Sequence, residues 1–147
     1  MRAVAQRVRW ARVEVDGAII GEIALGLLVY LGVGRDDDAG DRAWLIDKIV
    51  GMRIFPNPEG KMDKSVRDVG GALLVVSQFT LYADLSRGRR PSFELAMPPA
   101  AAEEAYESFV REAGVAIPVA AGRFGADMLV SSVNEGPVTM LLDSRAR

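Results

Sequence analysis

Hydrophobic and polar positions alternate from Val4 to Val15, with Val13 and Val15 set against Arg12 and Glu14, which predicts a half-buried strand. Asp16-Gly17 follows, a strong signal for a two-residue hairpin turn, and Ala18 to Ile23 is the return strand. Leu25 to Val33 is a nearly continuous apolar run broken by Gly26 and Gly32. Its length and its glycines predict a buried strand with a bulge or a close backbone approach. From Asp41 to Met52 the apolar residues Leu45, Ile46, Ile49 and Val50 fall on one helical face. Asp36, Asp37 and Asp38 put negative charge ahead of that element, which suits a helix N-terminus.

The segment FPNPEG, Phe55 to Gly60, is turn chemistry, and KMDKSVRDVGG after it reads as an irregular charged loop. Ala72 to Tyr82, ALLVVSQFTLY, is the strongest strand pattern, and its first half is apolar on both faces, so it predicts a central position. Asp84 to Ser92 is a loop. Pro98 and Pro99 open a second helix, whose stripe is Ala102, Ala105, Tyr106, Phe109, Val110 and Ala113 and whose stop is Gly114. Val115 to Val119 reads as a short strand. Met128 to Val133 and Val138 to Asp143 read as two more, separated by Asn134-Glu135-Gly136-Pro137. With no repeat, linker or low-complexity segment, residues 1–147 read as a single α+β domain, mainly antiparallel sheet with two helices.

Composition narrows the chemistry. The chain has no cysteine and no histidine. Disulfides, thiolate nucleophiles, imidazole general bases and the usual zinc sites are therefore excluded. No cluster of carboxylates asks for a metal, and no cofactor motif is present: the glycines of LGVGRD do not fit a phosphate loop. The formal net charge of -2 argues against general attraction to nucleic acid, so any RNA contact must be a local patch. The alternating, Arg-rich start lacks the apolar core of a signal peptide, and runs such as Ala72 to Val76 are too short to span a bilayer. The expected compartment is the cytosol.

Three segments hold candidate chemistry. Ser77, Gln78, Phe79 and Thr80 place hydroxyl and amide groups at a strand end, where polar side chains must be paired or used. Composition alone favours an ordinary strand terminus. In Asn134-Glu135-Gly136-Pro137-Val138-Thr139, the X-Pro bond has an appreciable chance of being cis, which points two successive carbonyls the same way. Seen alone, an ordinary hairpin turn is the simpler reading. Arg87, Arg89 and Arg90 with Phe93 suit a phosphate contact beside a stacking platform, although a charge run is usually a solvated loop. Lys61, Lys64 and Arg67 form a weaker basic cluster.

Together, MRAVAQRV, GKMDKS, SQFTLYAD, GRRPSF, GRFGADM and NEGPVT resemble the bacterial D-aminoacyl-tRNA deacylases in order and approximate spacing, over nearly the whole chain. SQFTLYAD and NEGPVT are specific as a pair. Asp63 stands where that family often has Asn, Glu135 where it often has Asp, and FPNPEG replaces a more acidic loop. The resemblance implies a compact homodimer that cleaves the ester of D-aminoacyl-tRNA, and of glycyl-tRNA, with active sites at the subunit interface. It implies a cis Gly136-Pro137 bond, projecting into the partner's pocket so that two carbonyl oxygens grip the α-amino group and reject an L side chain. Arg7 then braces those carbonyls. Ser77, Gln78, Phe79 and Thr80 line the pocket opposite, and Met128 lies near the adenine. No cofactor, membrane or DNA partner is implied. The competing functions are an esterase or amidase on small D-amino-acid derivatives and a non-catalytic RNA-binding module.

Overall fold

The computed structural model describes residues 1–146, so the last position of the expected 1–147 domain lies outside the described residues. Strand β1 (Arg2–Val15) buries Ala3, Ala5 and Arg7 on one phase, then shifts and buries Val8, Ala11, Val13 and Val15. Asp16 and Gly17 take positive φ of 52° and 78°, and Val15 pairs with Ala18, so the two-residue hairpin into β2 (Ala18–Ile23) forms as the sequence predicts. β3 (Gly26–Gly32) pairs antiparallel with the first half of β1. At Gly26 the chain does approach another backbone closely: a Cβ there would sit 2.0 Å from the Ala72 carbonyl oxygen.

Helix α1 (Ala39–Gly51) is capped by Asp38, whose side chain accepts from the Asp41 N–H while Asp41 accepts from the Asp38 N–H. Phe55 to Lys64, expected as turn and loop, contains a small antiparallel hairpin, β4 (Phe55–Pro56) with β5 (Met62–Lys64). Burial of Phe55 fixes its first arm. β6 (Ala72–Ser77) pairs parallel with β3 on one side and with β7 (Val119–Ala121) on the other, which makes it central, as its apolar run predicts. It is shorter than expected, because Phe79–Tyr82 form a 3-10 turn. Helix α2 (Pro99–Ala113) has the predicted stripe, with Ala102, Tyr106, Phe109 and Ala113 buried. The short strand expected at Val115 to Val119 begins only at Val119, since hydrogen bonds from Ala116 and Ile117 back to Ala113 carry helical turns onward.

The two expected C-terminal strands are one, β8 (Leu129–Asp143), running antiparallel along β1. Gln6 pairs with Thr139 and Val8 with Asn134, so β8 advances five residues where β1 advances two. The surplus pushes residues 135–138 off the ladder as a wide bulge. It is not a hairpin, because both arms pair with the same strand in the same sense.

The sheet has a core on each side. Ala3, Ala5, Leu27, Val29, Leu31, Leu73 and Val75 face α1 and α2. Leu28, Leu74 and Val76 face a second cluster closed by Val8, Ala11, Val13 and Val15. α1 is further tied to the chain ends. The N-terminal amine lies 2.7 Å from Asp37, and Arg145 lies 3.1 Å from Asp41. Burial opposes ionisation of Asp41. Hydrogen bonds from Asp38 and Ser144 and the positive charge of the amine and Arg145 outweigh it, holding the carboxyl below its ordinary 3.8. A depressed folded pKa adds stability above the unfolded value that is lost as pH falls through the folded one. Asp41→Asn should thus cost about 1.5–3 kcal/mol at pH 7, and little once pH is well below 3.8. Urea unfolding at both pH values checks this; an equal cost at both would show that the ionised carboxylate is not what matters.

Candidate active site

β3 and β6 run parallel and end side by side, with Leu31 opposite Ser77. Beyond them the two chains diverge, and a cleft of about 460 Å³ opens between the 3-10 turn, the 93–98 loop, the start of α2 and the 124–125 loop. Its walls are chiefly apolar, with Leu31, Val33, Phe93, Met97, Tyr106 and Phe124 among them. Ser77, Gln78 and Phe79 also line it. The structure therefore brings three of the four predicted residues directly to one cavity. Thr80 follows in the same turn, with its hydroxyl accepting a hydrogen bond of 2.5 Å from the Gln78 amide.

β6 ends as it does because the Gln78 N–H bonds the Leu31 carbonyl at 2.7 Å and β3 then runs out. The turn is closed by Leu81 N–H to Gln78 O and Ala83 N–H to Thr80 O. Tyr82 pins its far end, donating to Asp37 at 3.0 Å. Among the described residues, the Phe79 and Thr80 N–H groups have no intramolecular acceptor, the usual state of donors at the start of a helical turn. The Phe79 ring, 57% exposed, meets Phe93 edge-on with centroids 4.8 Å apart.

The hydroxyl of Tyr106 is not available for chemistry. It donates to the Val75 carbonyl at 2.9 Å, with the Gly122 carbonyl 3.2 Å away. Burial pushes its pKa up to about 12. Among the described residues no three His, Cys, Asp or Glu side chains cluster as metal ligands, and no helix is long and apolar enough to cross a membrane.

Gly136 and Pro137 stand elsewhere. They form the exposed tip of the β8 bulge, and the bond between them is cis, as the resemblance implies. Gly136 has φ +124°, and a Cβ there would meet Val138 at 2.7 Å and the Arg7 guanidinium at 3.1 Å, so only glycine fits. Buried Arg7 donates to the Glu135 carbonyl at 3.3 Å and to the Ile54 carbonyl. Its brace thus falls one residue before the Gly136-Pro137 pair. Arg9 holds the Glu135 carboxylate at 2.8 Å. Beneath the tip, Val138 turns into the core and its N–H reaches the Asn134 side chain at 3.3 Å.

By register the tip lies level with Arg7, while Ser77 lies level with Leu31 and Ala3. Four residues along the strands and three strand spacings across them separate tip and cleft by roughly 20 Å. The tip does not reach the cleft of the same chain. Met128 does not line the cleft; it packs in the second core, its sulfur 2.7 Å from where a Cβ on Gly122 would lie. The loop it ends contributes Phe124 and Gly125 to the cleft wall. Sequence reasoning missed Met97, Tyr106 and Phe124 as site residues. The one legible signal was a tyrosine within an apolar helix stripe, whose hydroxyl must find a partner.

The family model described as D-Tyr-tRNA(Tyr) deacylase matches residues 4–143. A relative from Desulfitobacterium hafniense named D-aminoacyl-tRNA deacylase is 52% identical over 145 residues, covering 98% of this chain and 97% of its own. Among solved structures, one titled c-Myc DNA Unwinding Element Binding Protein superposes with TM-score 0.92 at 40% identity, covering 97% of this chain and 98% of its own. Another, titled a structural analysis of a probable eukaryotic D-amino acid tRNA deacylase, gives TM-score 0.74 at 20% identity, over 96% and 97% of the two chains, and supports the α+β fold. With the family model spanning nearly the whole chain and a half-identical relative matching end to end, the chain belongs to the D-Tyr-tRNA(Tyr) deacylase family.

Proposed function

We propose that the chain hydrolyses the ester joining a D-amino acid to the 3′ end of its tRNA, and that it works as a homodimer. The observation that carries the reading is the split between two half-sites. A chiefly apolar cleft stands at the end of β6 beside a turn with two unused N–H groups, and a Gly136-Pro137 tip projects from β8 out of its reach. A second copy supplies what is missing: the tip of one protomer enters the cleft of the other. The outer edge of β8 is unpaired in the single chain and exposes Leu129, Val133 and Leu141, a surface of the kind that pairing covers.

In this reading the Gly136 and Pro137 carbonyls hold the substrate's α-ammonium and leave no space for an L side chain. Glycine, having none, is admitted. Arg7 fixes the tip through Glu135, and Met128 stands behind the wall where the terminal adenine docks. Ser77, Gln78 and Phe79, which line the cleft, face the reacting ester, with Thr80 beside them in the same turn. With no histidine or cysteine in the chain, water is the nucleophile. The terminal ribose 2′-hydroxyl assists its deprotonation. The Phe79 and Thr80 N–H groups take the charge that develops on the carbonyl oxygen. The ribose 3′-oxygen leaves and is reprotonated, giving free D-amino acid and tRNA. No cofactor takes part, and the substrate places the protein in the cytosol. A non-catalytic nucleic-acid module is the second reading, favoured by the DNA-binding title of one solved relative.

Pure protein should release amino acid from D-tyrosyl-tRNA at least 100-fold faster than from L-tyrosyl-tRNA, since the carbonyl grip rejects by steric exclusion. Comparable rates would end the filter, and no release from either would favour the binding module. Thr80→Ala should slow single-turnover hydrolysis only about tenfold or less, because the backbone N–H remains. A loss of the size seen when a catalytic triad is broken, about 10⁴-fold or more, would show that the hydroxyl itself performs the chemistry.

A further inference from the structure

The basic loop next to the cleft has no part in the chemistry above. A two-bond bridge closes it at the base: Asp84 N–H to Ser92 O at 2.8 Å and Ser92 N–H to Asp84 O at 2.9 Å. Residues 85–91 form the excursion, and all are exposed. It carries Arg87, Arg89 and Arg90, none of which has an ion pair, hydrogen bond or ring contact among the described residues. The nearest carboxylates in sequence do not neutralise them. Asp84 accepts from the Ser86 N–H at 2.8 Å, and exposed Glu94 makes no ion pair among the described residues.

The loop is tied to the cleft. Its exit leads directly to Phe93, which lines the cavity and packs on Phe79. Arg35, exposed and without an ion pair among the described residues, lines the same cavity and holds the Leu95 carbonyl through its backbone N–H at 2.9 Å. One unpaired arginine thus lines the cleft, and three more stand on the loop that leads into its wall, in a chain whose net charge is -2. Three unneutralised guanidinium groups held in a protein of opposite overall sign are what a local polyanion contact requires.

We propose, resting on the deacylase reading, that the 85–91 loop is the RNA dock. Arg87, Arg89 and Arg90 straddle backbone phosphates of the acceptor stem just before the 3′ end. Arg35 guides the terminal nucleotides into the cleft. Specificity for the amino acid then resides in the cavity, and affinity for the carrier resides in the loop.

The test compares wild type with the triple variants Arg87→Ala/Arg89→Ala/Arg90→Ala and Arg87→Lys/Arg89→Lys/Arg90→Lys. The readouts are the Kd for uncharged tRNA and kcat/KM on D-tyrosyl-tRNA and on the 3′-O-D-tyrosyl ester of adenosine, between 50 and 200 mM salt. Three lost phosphate contacts should remove about 20- to 40-fold of the wild-type fall in tRNA affinity over that range. The alanine variant should show KM for D-tyrosyl-tRNA raised at least tenfold at low salt and turnover of the adenosine ester within twofold of wild type. The lysine variant should stay near wild type on both. Unchanged tRNA affinity and salt slope in the alanine variant would overturn the assignment. So would equal losses on the two substrates, which would make the loop part of the cavity, or duplex DNA competing as well as tRNA. If wild type binds tRNA through the loop yet leaves D-tyrosyl-tRNA intact, the dock stands and the deacylase reading falls.

Discussion

The candidate site depends on a mismatch in strand count. β8 carries three more residues than β1 can pair between Asn134 and Thr139, and the excess must leave the sheet. Where it leaves is set by burial on one side and a hydrogen bond across its base. Val138 is drawn into the core, and Asn134 and Thr139 are joined by a side-chain hydrogen bond of 3.1 Å across the base of the bulge. The tip that remains, Gly136-Pro137, can only point outward. Arg7, itself inside the sheet's inner face, reaches under it. A flexible loop of the same composition would offer the same carbonyls without a fixed direction, and fixed direction is what discrimination between mirror-image side chains needs.

The cleft obeys a complementary logic. Its walls come from both layers and are chiefly apolar. Tyr106 in the cleft wall gives its hydroxyl to Val75, and Tyr82 at the far end of the adjoining turn gives its own to Asp37. Besides the Ser77 hydroxyl and the Arg35 side chain, the donors left over are main-chain N–H groups at the head of a short turn. Such donors do not titrate and do not rotate away. A site built from them can polarise a carbonyl at neutral pH in a chain without histidine.

Much of this was legible in the sequence wherever the signal was local. Asp16-Gly17 dictated its hairpin, the Ala102-to-Ala113 stripe dictated α2, and the two-sided apolar run from Ala72 dictated a central strand. Reading failed where distant partners decided the outcome. FTLY has strand-forming residues, but β3 stops at Gly32, so the backbone after Ser77 has no ladder to join and coils instead. NEGP looked like a reversal because the partner that keeps both its arms parallel to one axis lies at the other end of the chain. Ser77 to Thr80 could be picked out, since polar groups after an apolar run draw notice. Phe124 and Met97 could not, because they come from different elements and only the fold brings them to Tyr106, whose hydroxyl in an apolar stripe was the one local hint.

The roughly 20 Å between tip and cleft in the chain has a genetic corollary. In a dimer of the proposed kind, each reaction centre draws one half from each gene product. A subunit damaged only in its bulge and a subunit damaged only in its cavity are inert as pure populations. Mixed together, they assemble one centre with both halves damaged and one with both halves sound. Two defective alleles would restore activity in each other, and the pattern of which pairs do so would map which residues belong to which half.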